Sequence, residues 1–327
     1  MTAKPSTAAR SHNARPILAK DGSWFVALAV AASVAMLFGS GIEASAQETI
    51  DVAHAQGEAA VPVNAETIVT FDLATLDILD RLGVPVAGVP AANMPDYLSD
   101  YGGGTVPTMG SLFEPDFEAL NALQPDLIIV AARSAPQLPA LSAIAPTIDL
   151  TLDGDDFVGS VTGNVETLGR ITGHDEAAAQ LVADLNASIE ALRQSAANAG
   201  DALIVMTSGG RVTAYGPGSR FGWLHDDLGV TPTIEDVEAA THGEAIGFEF
   251  ILEADPDWLF VVDRDAAIGQ GGTAAQAVLD NLLVAETTAW REGRVVYVDS
   301  AAWYIVGGGI TALGNAIDQV AASFAGG

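Results

Sequence analysis

Cysteine is absent from all 327 residues. That excludes a disulfide framework, a thiolate metal site, a cysteine nucleophile and a lipid anchor built on an acylated cysteine. Lysine is nearly absent, since Lys4 and Lys20 are the only two. Beyond residue 46 the chain holds nine arginines against 40 aspartates and glutamates, a formal charge of about −31. Such a surface repels nucleic acid and acidic lipid. Past residue 46 no apolar run approaches the roughly 18 residues of a membrane-spanning helix, so no membrane anchor is expected there. Catalytic signatures are also missing. There is no Gly-x-Ser-x-Gly elbow, no His-Glu-x-x-His helix, no Walker pattern and no dinucleotide fingerprint. The many acids show no acid–base pair, and the glycine-rich stretches 269–272 and 307–309 read as turns, so the sequence gives no support to an enzyme.

What is present begins with a secretory pattern. Basic Lys4, Arg10, Arg15 and Lys20 precede an apolar run from Trp24 to Phe38, and Ala44-Ser45-Ala46 stands before Gln47. Residues 1–46 therefore read as a signal peptide cleaved near Ala46/Gln47, which predicts a soluble periplasmic protein. Residues 47–65 are polar, rich in alanine and without periodicity, and are expected to form a flexible leader. From Glu66, β-branched runs alternate with helical patterns: Thr67 to Thr70, Leu73 to Leu82 ended by Gly83, then Val84 to Val89. This alternation predicts α/β layering on parallel strands.

A repeat at an offset of 131 residues organises the rest. Phe117-Glu118 through Pro125-Asp126-Leu127 to Arg133 matches Phe248-Glu249 through Pro256-Asp257-Trp258 to Arg264. Each copy reads as a short helix, a Pro-Asp turn, a buried strand and a closing arginine. A weaker echo pairs Asp80-Arg81-Leu82-Gly83-Val84-Pro85 with Asp227-Leu228-Gly229-Val230-Thr231-Pro232. The period is too long for a solenoid unit and predicts two similar lobes, residues 66–155 and 200–327. Residues 156–199 between them read as a helical linker, Asp156 to Leu168, a break at 169–173, then Asp175 to Ala197. In the last segment Ala179, Val182, Leu185, Ile189 and Leu192 share one face. At ~1.5 Å per residue this last segment of about 23 residues spans roughly 35 Å and holds the lobes apart around a cleft, the usual ligand site of open α/β lobes. Arg133 and Arg264, at the same point of each repeat in so acidic a chain, are candidates to hold an anion there.

The signal, the repeat, the linker and the segments Gly218-Ser219-Arg220-Phe221-Gly222, Thr241-His242-Gly243, Phe260-Val261-Val262-Asp263-Arg264 and Trp303-Tyr304 together resemble the periplasmic binding proteins of ABC importers for iron–siderophore complexes, most closely the catecholate branch. The likeness covers residues 66–325. It implies a class III fold: two Rossmann-like lobes with central parallel sheets, joined by a single long helix. It implies a monomeric receptor whose cargo is a ferric siderophore, with no permanently bound cofactor, and which docks on an importer permease dimer. In that branch three cleft arginines bind the anionic chelate, and Arg133, Arg220 and Arg264 match them. Guanidinium suits this work because it donates to catecholate oxygens and its flat face stacks on a catechol ring. His242 and Tyr304 match positions that complete the iron shell of a tetradentate siderophore, although adjacent Trp303 competes with Tyr304 for that place. Glu118 and Glu249 match the glutamates that dock on the permease. Tyr215, in the segment Tyr215-Gly216-Pro217-Gly218, reads equally as an aromatic wall of the pocket or as part of a structural turn. His225, beside Asp226 and Asp227, reads as an exposed helix residue. The same receptor type could instead carry a hydroxamate siderophore, haem or a corrinoid. An exported enzyme acting on an anionic substrate is the rival from another class.

Overall fold

The computed structural model describes residues 48–237 and 243–326. The predicted signal, with its cleavage point at Ala46/Gln47, lies outside the described residues.

The first folded element corrects the expected leader. β1 (Thr49–His54) and β2 (Gly57–Pro62) form an antiparallel hairpin. Its inward residues Val52 and Val61 are fully buried. The Ala55 N–H donates to the Asp149 carbonyl (2.9 Å), and the Gln56 amide donates to the Asp149 carboxylate (2.8 Å). Ile50, Val52, Ala59 and Val61 do alternate, but two of the four are separated by a turn and one is alanine. The period of two is thus too short and too diluted to stand out.

In the first lobe β3 (Ile68–Thr70), β6 (Leu127–Val130) and β7 (Thr147–Asp149) are parallel neighbours in the order β3-β6-β7. A parallel pair, β4 (Val89–Ala91) and β5 (Thr108–Ser111), joins β3 through the bridge from Val69 to Gly88. In the second lobe β8 (Asp201–Ser208), β12 (Trp258–Asp263) and β13 (Val295–Tyr297) repeat the parallel order β8-β12-β13. The second sheet is mixed rather than parallel throughout. β9 (Arg211–Tyr215) returns antiparallel to β8, and β11 (Glu244–Ile246) pairs antiparallel with β9, while the short β10 (Thr231–Pro232) runs parallel to the start of β8. Gly209 (φ 56°) and Gly210 (φ 75°) supply the two left-handed residues that a tight β8–β9 hairpin needs.

The 131-residue repeat is real in space. Among the principal helices, α1 (Leu73–Arg81) precedes α2 (Phe117–Leu123), whose repeat partner is the later helix Phe248–Ala254. α2 and its partner end on left-handed residues, Gln124 (φ 52°) and Asp255 (φ 45°), just before the Pro-Asp pair. In each turn the aspartate accepts from an N–H at the entry to the neighbouring strand, Asp126 from Thr67 (2.9 Å) just before β3 and Asp257 from Asp201 (3.2 Å) at the start of β8. The weaker echo holds as well, since Gly83 (φ 73°) and Gly229 (φ 72°) sit at the same left-handed helix exit.

The linker is helical in two segments, as its pattern implies, but the break is shorter than expected. α3 (Phe157–Thr172) ends at left-handed Gly173 (φ 72°), and α4 (Asp175–Ala196) follows after His174. Gly169 does not break α3. A Cβ there would collide with the Ala178 side chain, so its bareness lets α3 and α4 touch. The buried face of α4 is Ala178, Leu185, Ile189, Leu192 and Ala196, with Ala178 in place of Ala179. Next in order come α5 (Trp223–Asp226), α6 (Phe248–Ala254), α7 (Arg264–Ala267) and α8 (Ile310–Gly326). α8 packs on both α4 and α1, so a second helix ties the lobes. Asp77 on α1, 1% exposed, accepts the N–H groups of Thr311 (3.1 Å) and Ala312 (2.9 Å) at the start of α8 and the Tyr97 hydroxyl (3.1 Å).

Candidate functional site

Each cleft arginine is aimed by a constrained piece of backbone. After β6 the chain turns through Ala132, a non-glycine in the left-handed region (φ 43°), a conformation costing about 1 kcal/mol or more. The Ala132 N–H donates to the Thr151 hydroxyl (2.7 Å), and the buried Ser134 hydroxyl accepts from Ala131 (3.0 Å) and donates to the Phe71 carbonyl (3.1 Å). Arg133 projects from this held turn. Arg220 lies in the loop between β9 and α5. There the Ser219 hydroxyl donates to the Gly216 carbonyl (2.6 Å) and Gly218 donates to the Asp226 carboxylate (2.7 Å). Arg264 opens α7, capped by Asp263 accepting from Ala266 (3.0 Å).

All three converge on Tyr304, which stands in a π-helical turn, Ala302–Val306. Arg133 from the first lobe donates to the Tyr304 carbonyl (3.0 Å), and Arg220 from the second donates to the same oxygen (2.8 Å). Arg264 donates to the Tyr304 hydroxyl (3.0 Å). Their guanidinium carbons lie 5.4, 4.3 and 5.6 Å from the Tyr304 ring centre, within cation–π range. Among the described residues neither Arg133 nor Arg220 forms a salt bridge, in a chain of formal net charge −29. Burial, with the like charge of Arg133 behind it, pushes the Arg220 guanidinium below its ordinary value. These cations are held against their own solvation and mutual repulsion, a state that an incoming anion relieves.

The same charges act on the phenol. Burial alone raises the Tyr304 pKa, but the Arg264 hydrogen bond and the charges of Arg220, Arg264 and Arg133 outweigh it, so Tyr304 ionises below an ordinary tyrosine. The other four tyrosines all go up: Tyr101 and Tyr215 to about 12, Tyr97 and Tyr297 in the same direction, each by burial first. An ultraviolet titration should therefore show one early tyrosinate, and Tyr304→Phe should remove that step. An unchanged first step in the variant would contradict this electrostatic picture.

A cavity of about 410 Å³ opens beside this cluster, lined by Arg133, Arg220 and Tyr304. Arg264 is not on its wall and meets the site through the Tyr304 hydroxyl. The opposite character comes from aromatic residues, of which the sequence reading named only Trp303: Phe157 stacks on Trp223 (5.6 Å), which packs on Trp303 (4.7 Å). Leu152 and Gly308 complete a close contact, since a Cβ on Gly308 would strike Leu152. Asp72, the N-cap of α1, also lines the cavity; burial pushes its carboxyl up, against the pull of its bonds to Thr75 and of Arg133. Trp303 and Tyr304 divide their places: the indole is 3% exposed among Phe221, Trp223 and Phe260, while the phenol faces the arginines.

Tyr215 is the last residue of β9 and not part of a loop. It is 1% exposed, packed edge-on to Phe221 (4.7 Å), and it does not line the cavity. His225 corrects the expectation of an exposed residue. It is 8% exposed, its Nδ1 meets the Val230 carbonyl (2.8 Å), and burial lowers its pKa, because α5 is a single turn folded under the chain that follows. His242 lies outside the described residues. Glu118 and Glu249 are exposed, each in the first turn of its repeat helix. Three of the remaining arginines have local partners: Arg193 donates to the Asp227 carbonyl (2.7 Å), Arg294 pairs with Glu292 (2.9 Å) and Arg291 pairs with Glu286.

Two α/β lobes joined by packed helices, with a cationic and aromatic cavity between them, define a two-lobed binding protein. Known proteins agree. The family model described as periplasmic binding protein matches residues 68–302, and the chain belongs to that family. The family comprises binding proteins, and this chain is one of them and not an enzyme. It is 38% identical over 263 residues to the petrobactin-binding protein YclQ of Bacillus subtilis, covering 80% of this chain and 83% of that one. The crystal structure of YclQ superposes with a TM-score of 0.82 at 37% identity, covering 85% of this chain and 99% of that one. The ferric-anguibactin-binding protein FatB of Vibrio anguillarum is 32% identical over 277 residues, 83% of this chain and 86% of its own. The periplasmic catecholate-siderophore-binding protein VctP of Vibrio cholerae gives a TM-score of 0.79 at 32% identity, covering 86% of this chain and 100% of that one. Among the described residues no helix is long and apolar enough to cross a membrane.

Proposed function

We propose that this protein is a monomeric, exported receptor that captures a ferric catecholate-type siderophore between its lobes and delivers it to an inner-membrane ABC importer. The observation that carries the reading is the gathering of Arg133, Arg220 and Arg264 on one residue, with no acid paired to the first two among the described residues. Ferric catecholates are anionic, and guanidinium meets them with charge-assisted hydrogen bonds and ring stacking. Trp223, Trp303 and Phe157 offer the aromatic surface for catechol rings. The relatives that bind petrobactin, ferric anguibactin and catecholate siderophores support the same class of cargo. Export through the signal in residues 1–46 and residence in the periplasm belong to this proposal.

On binding, the chelate takes over the guanidinium donors that now rest on the Tyr304 carbonyl. The Tyr304 phenolate, eased by the same arginines, is a hard donor suited to ferric iron, and with His242 it completes the shell of a tetradentate ligand. The ferric chelate is cargo, not a resident cofactor. Neutral hydroxamate complexes leave the arginine charges unmatched. Quenching of intrinsic fluorescence from Trp223 and Trp303 by ferric catecholates and not by ferric hydroxamates is the expected result; the reverse preference overturns the reading.

Glu118 and Glu249 serve as the two docking points for a permease dimer, exposed at equivalent places on the two lobes. Charge reversal, Glu118→Arg with Glu249→Arg, is expected to leave chelate affinity unchanged and to abolish stimulation of the importer's ATPase in proteoliposomes. Full stimulation by the double variant would remove both residues from the interface.

A further inference from the structure

The hairpin β1–β2 carries a side chain into the turn that aims Arg133. Gln56, at the tip between the two strands, spends its amide hydrogens on two partners, the Ala135 carbonyl (2.8 Å) and Oδ2 of Asp149 (2.8 Å). Asp149 ends β7, and its other oxygen, Oδ1, accepts from the Thr151 N–H (2.9 Å) and the Thr151 hydroxyl (2.5 Å). A hydroxyl has a single hydrogen to give. With that hydrogen on Asp149, the Thr151 oxygen is left to accept from the N–H of Ala132 (2.7 Å), the left-handed residue directly before Arg133. Gln56 therefore grips the turn on both sides of Arg133, at Ala135 directly and at Ala132 through Asp149 and Thr151.

Asp149 is 2% exposed and forms no salt bridge among the described residues, and a buried carboxylate without a cation is costly. The strand does not need that charge, because β7 is already paired with β6 and the Leu150 N–H donates to the Val130 carbonyl (2.9 Å). What the carboxylate supplies is two acceptor oxygens and no donor, which orients Gln56 and Thr151 one way only. Neither Gln56 nor Asp149 lies on the cavity wall, whereas Ala132, Arg133 and Thr151 do. We propose that Asp149 and Gln56 are positioning residues of the binding site: the hairpin braces the left-handed turn at Ala132 and so holds Arg133 across the cleft, ready for an anionic chelate. A cation fixed before the ligand arrives loses less freedom on binding than one that must then be ordered. This role rests on the reading of Arg133 as a ligand-binding residue and goes beyond it by giving the hairpin a part in affinity.

The test is a double-mutant cycle on the whole protein, with affinity for a synthetic ferric bis-catecholate read by tryptophan quenching. Gln56→Ala, a change at an exposed turn, should weaken binding about threefold while the melting temperature stays near that of the wild type. Asp149→Asn, which keeps the shape but replaces one acceptor by a donor, should weaken it about tenfold. In a background carrying Arg133→Ala both changes should lose their effect, because the brace acts through that one side chain. A general loosening of the fold would instead weaken binding equally with or without Arg133. Wild-type affinity in both Gln56→Ala and Asp149→Asn, or losses of the same size in the Arg133→Ala background, overturns the brace and leaves the siderophore reading standing. An Arg133→Ala variant that binds as tightly as the wild type removes Arg133 from the site and the brace with it, and no binding by the wild type overturns both the siderophore reading and the brace.

Discussion

Arg220→Ala is expected to weaken binding of a ferric bis-catecholate by about 1.5–3 kcal/mol, some 10- to 150-fold. Arg220 is the cation set closest over the Tyr304 ring, at 4.3 Å, and it shares the Tyr304 carbonyl with Arg133 across the cleft. Its desolvation is already met in the free protein, so an arriving anion gains the attraction without that penalty. Lysine at 220 should recover only part of the loss, since an ammonium cannot fork or stack as guanidinium does. Arg264→Ala should lose less, because Arg264 reaches the site only through the Tyr304 hydroxyl. The melting temperature of Arg220→Ala should stay level or rise, as a strained like-charge pair is relieved. Unchanged affinity at low salt would place Arg220 outside the binding site.

The second large effect is on stability. Asp77→Ala should destabilise the fold by about 2–4 kcal/mol, measured by urea unfolding, because it strips the acceptor from two backbone N–H groups and from the Tyr97 hydroxyl in a buried site. The lost contact lies where α8 meets α1, between the lobes. Burial raises the Asp77 carboxyl pKa, although the bonds from Thr311, Ala312 and Tyr97 pull it part of the way back. A carboxyl raised in the folded state holds its proton better folded than unfolded. Its contribution is therefore full below the ordinary value near 3.8 and is lost as pH rises through the raised one. Asp72 and Asp227 shift in the same direction, and repulsion among the 40 acids beyond residue 46 adds the same sign. Stability should thus increase on mild acidification from neutral pH, and Asp77→Asn should flatten part of that rise. A wild-type protein that weakens steadily under the same mild acidification would contradict the assignment.

The two lobes were legible in the sequence because the repeat is written in residues with fixed backbone duties. Pro125-Asp126 and Pro256-Asp257 sit behind left-handed Gln124 and Asp255, and such a turn admits few alternatives. The arginines could be read for a similar reason: each follows a buried strand or glycine loop whose direction is set locally. The hairpin of 49–62 could not, since its burial depends on β7, about 90 residues away, and its own pattern is diluted by alanine. Of the aromatic wall only Trp303 was in view. Phe157 heads the linker, Trp223 sits in a one-turn helix and Trp303 in a π turn, and nothing in their spacing brings them together. His225 was misplaced because adjacent Asp226 and Asp227 suggested a solvated face, whereas the chain doubles back to offer the Val230 carbonyl.

The central claim is that the cationic cavity binds an anionic ferric chelate. Native mass spectrometry of the protein against ferric bis-catecholate, ferric hydroxamate, haem, a corrinoid and iron-free bis-catecholate tests it directly. The account predicts a one-to-one adduct containing iron with the bis-catecholate, lost in a variant carrying Arg133→Ala and Arg220→Ala together. A preferred hydroxamate, haem or corrinoid adduct, or a bis-catecholate adduct that survives the double substitution undiminished, would contradict it.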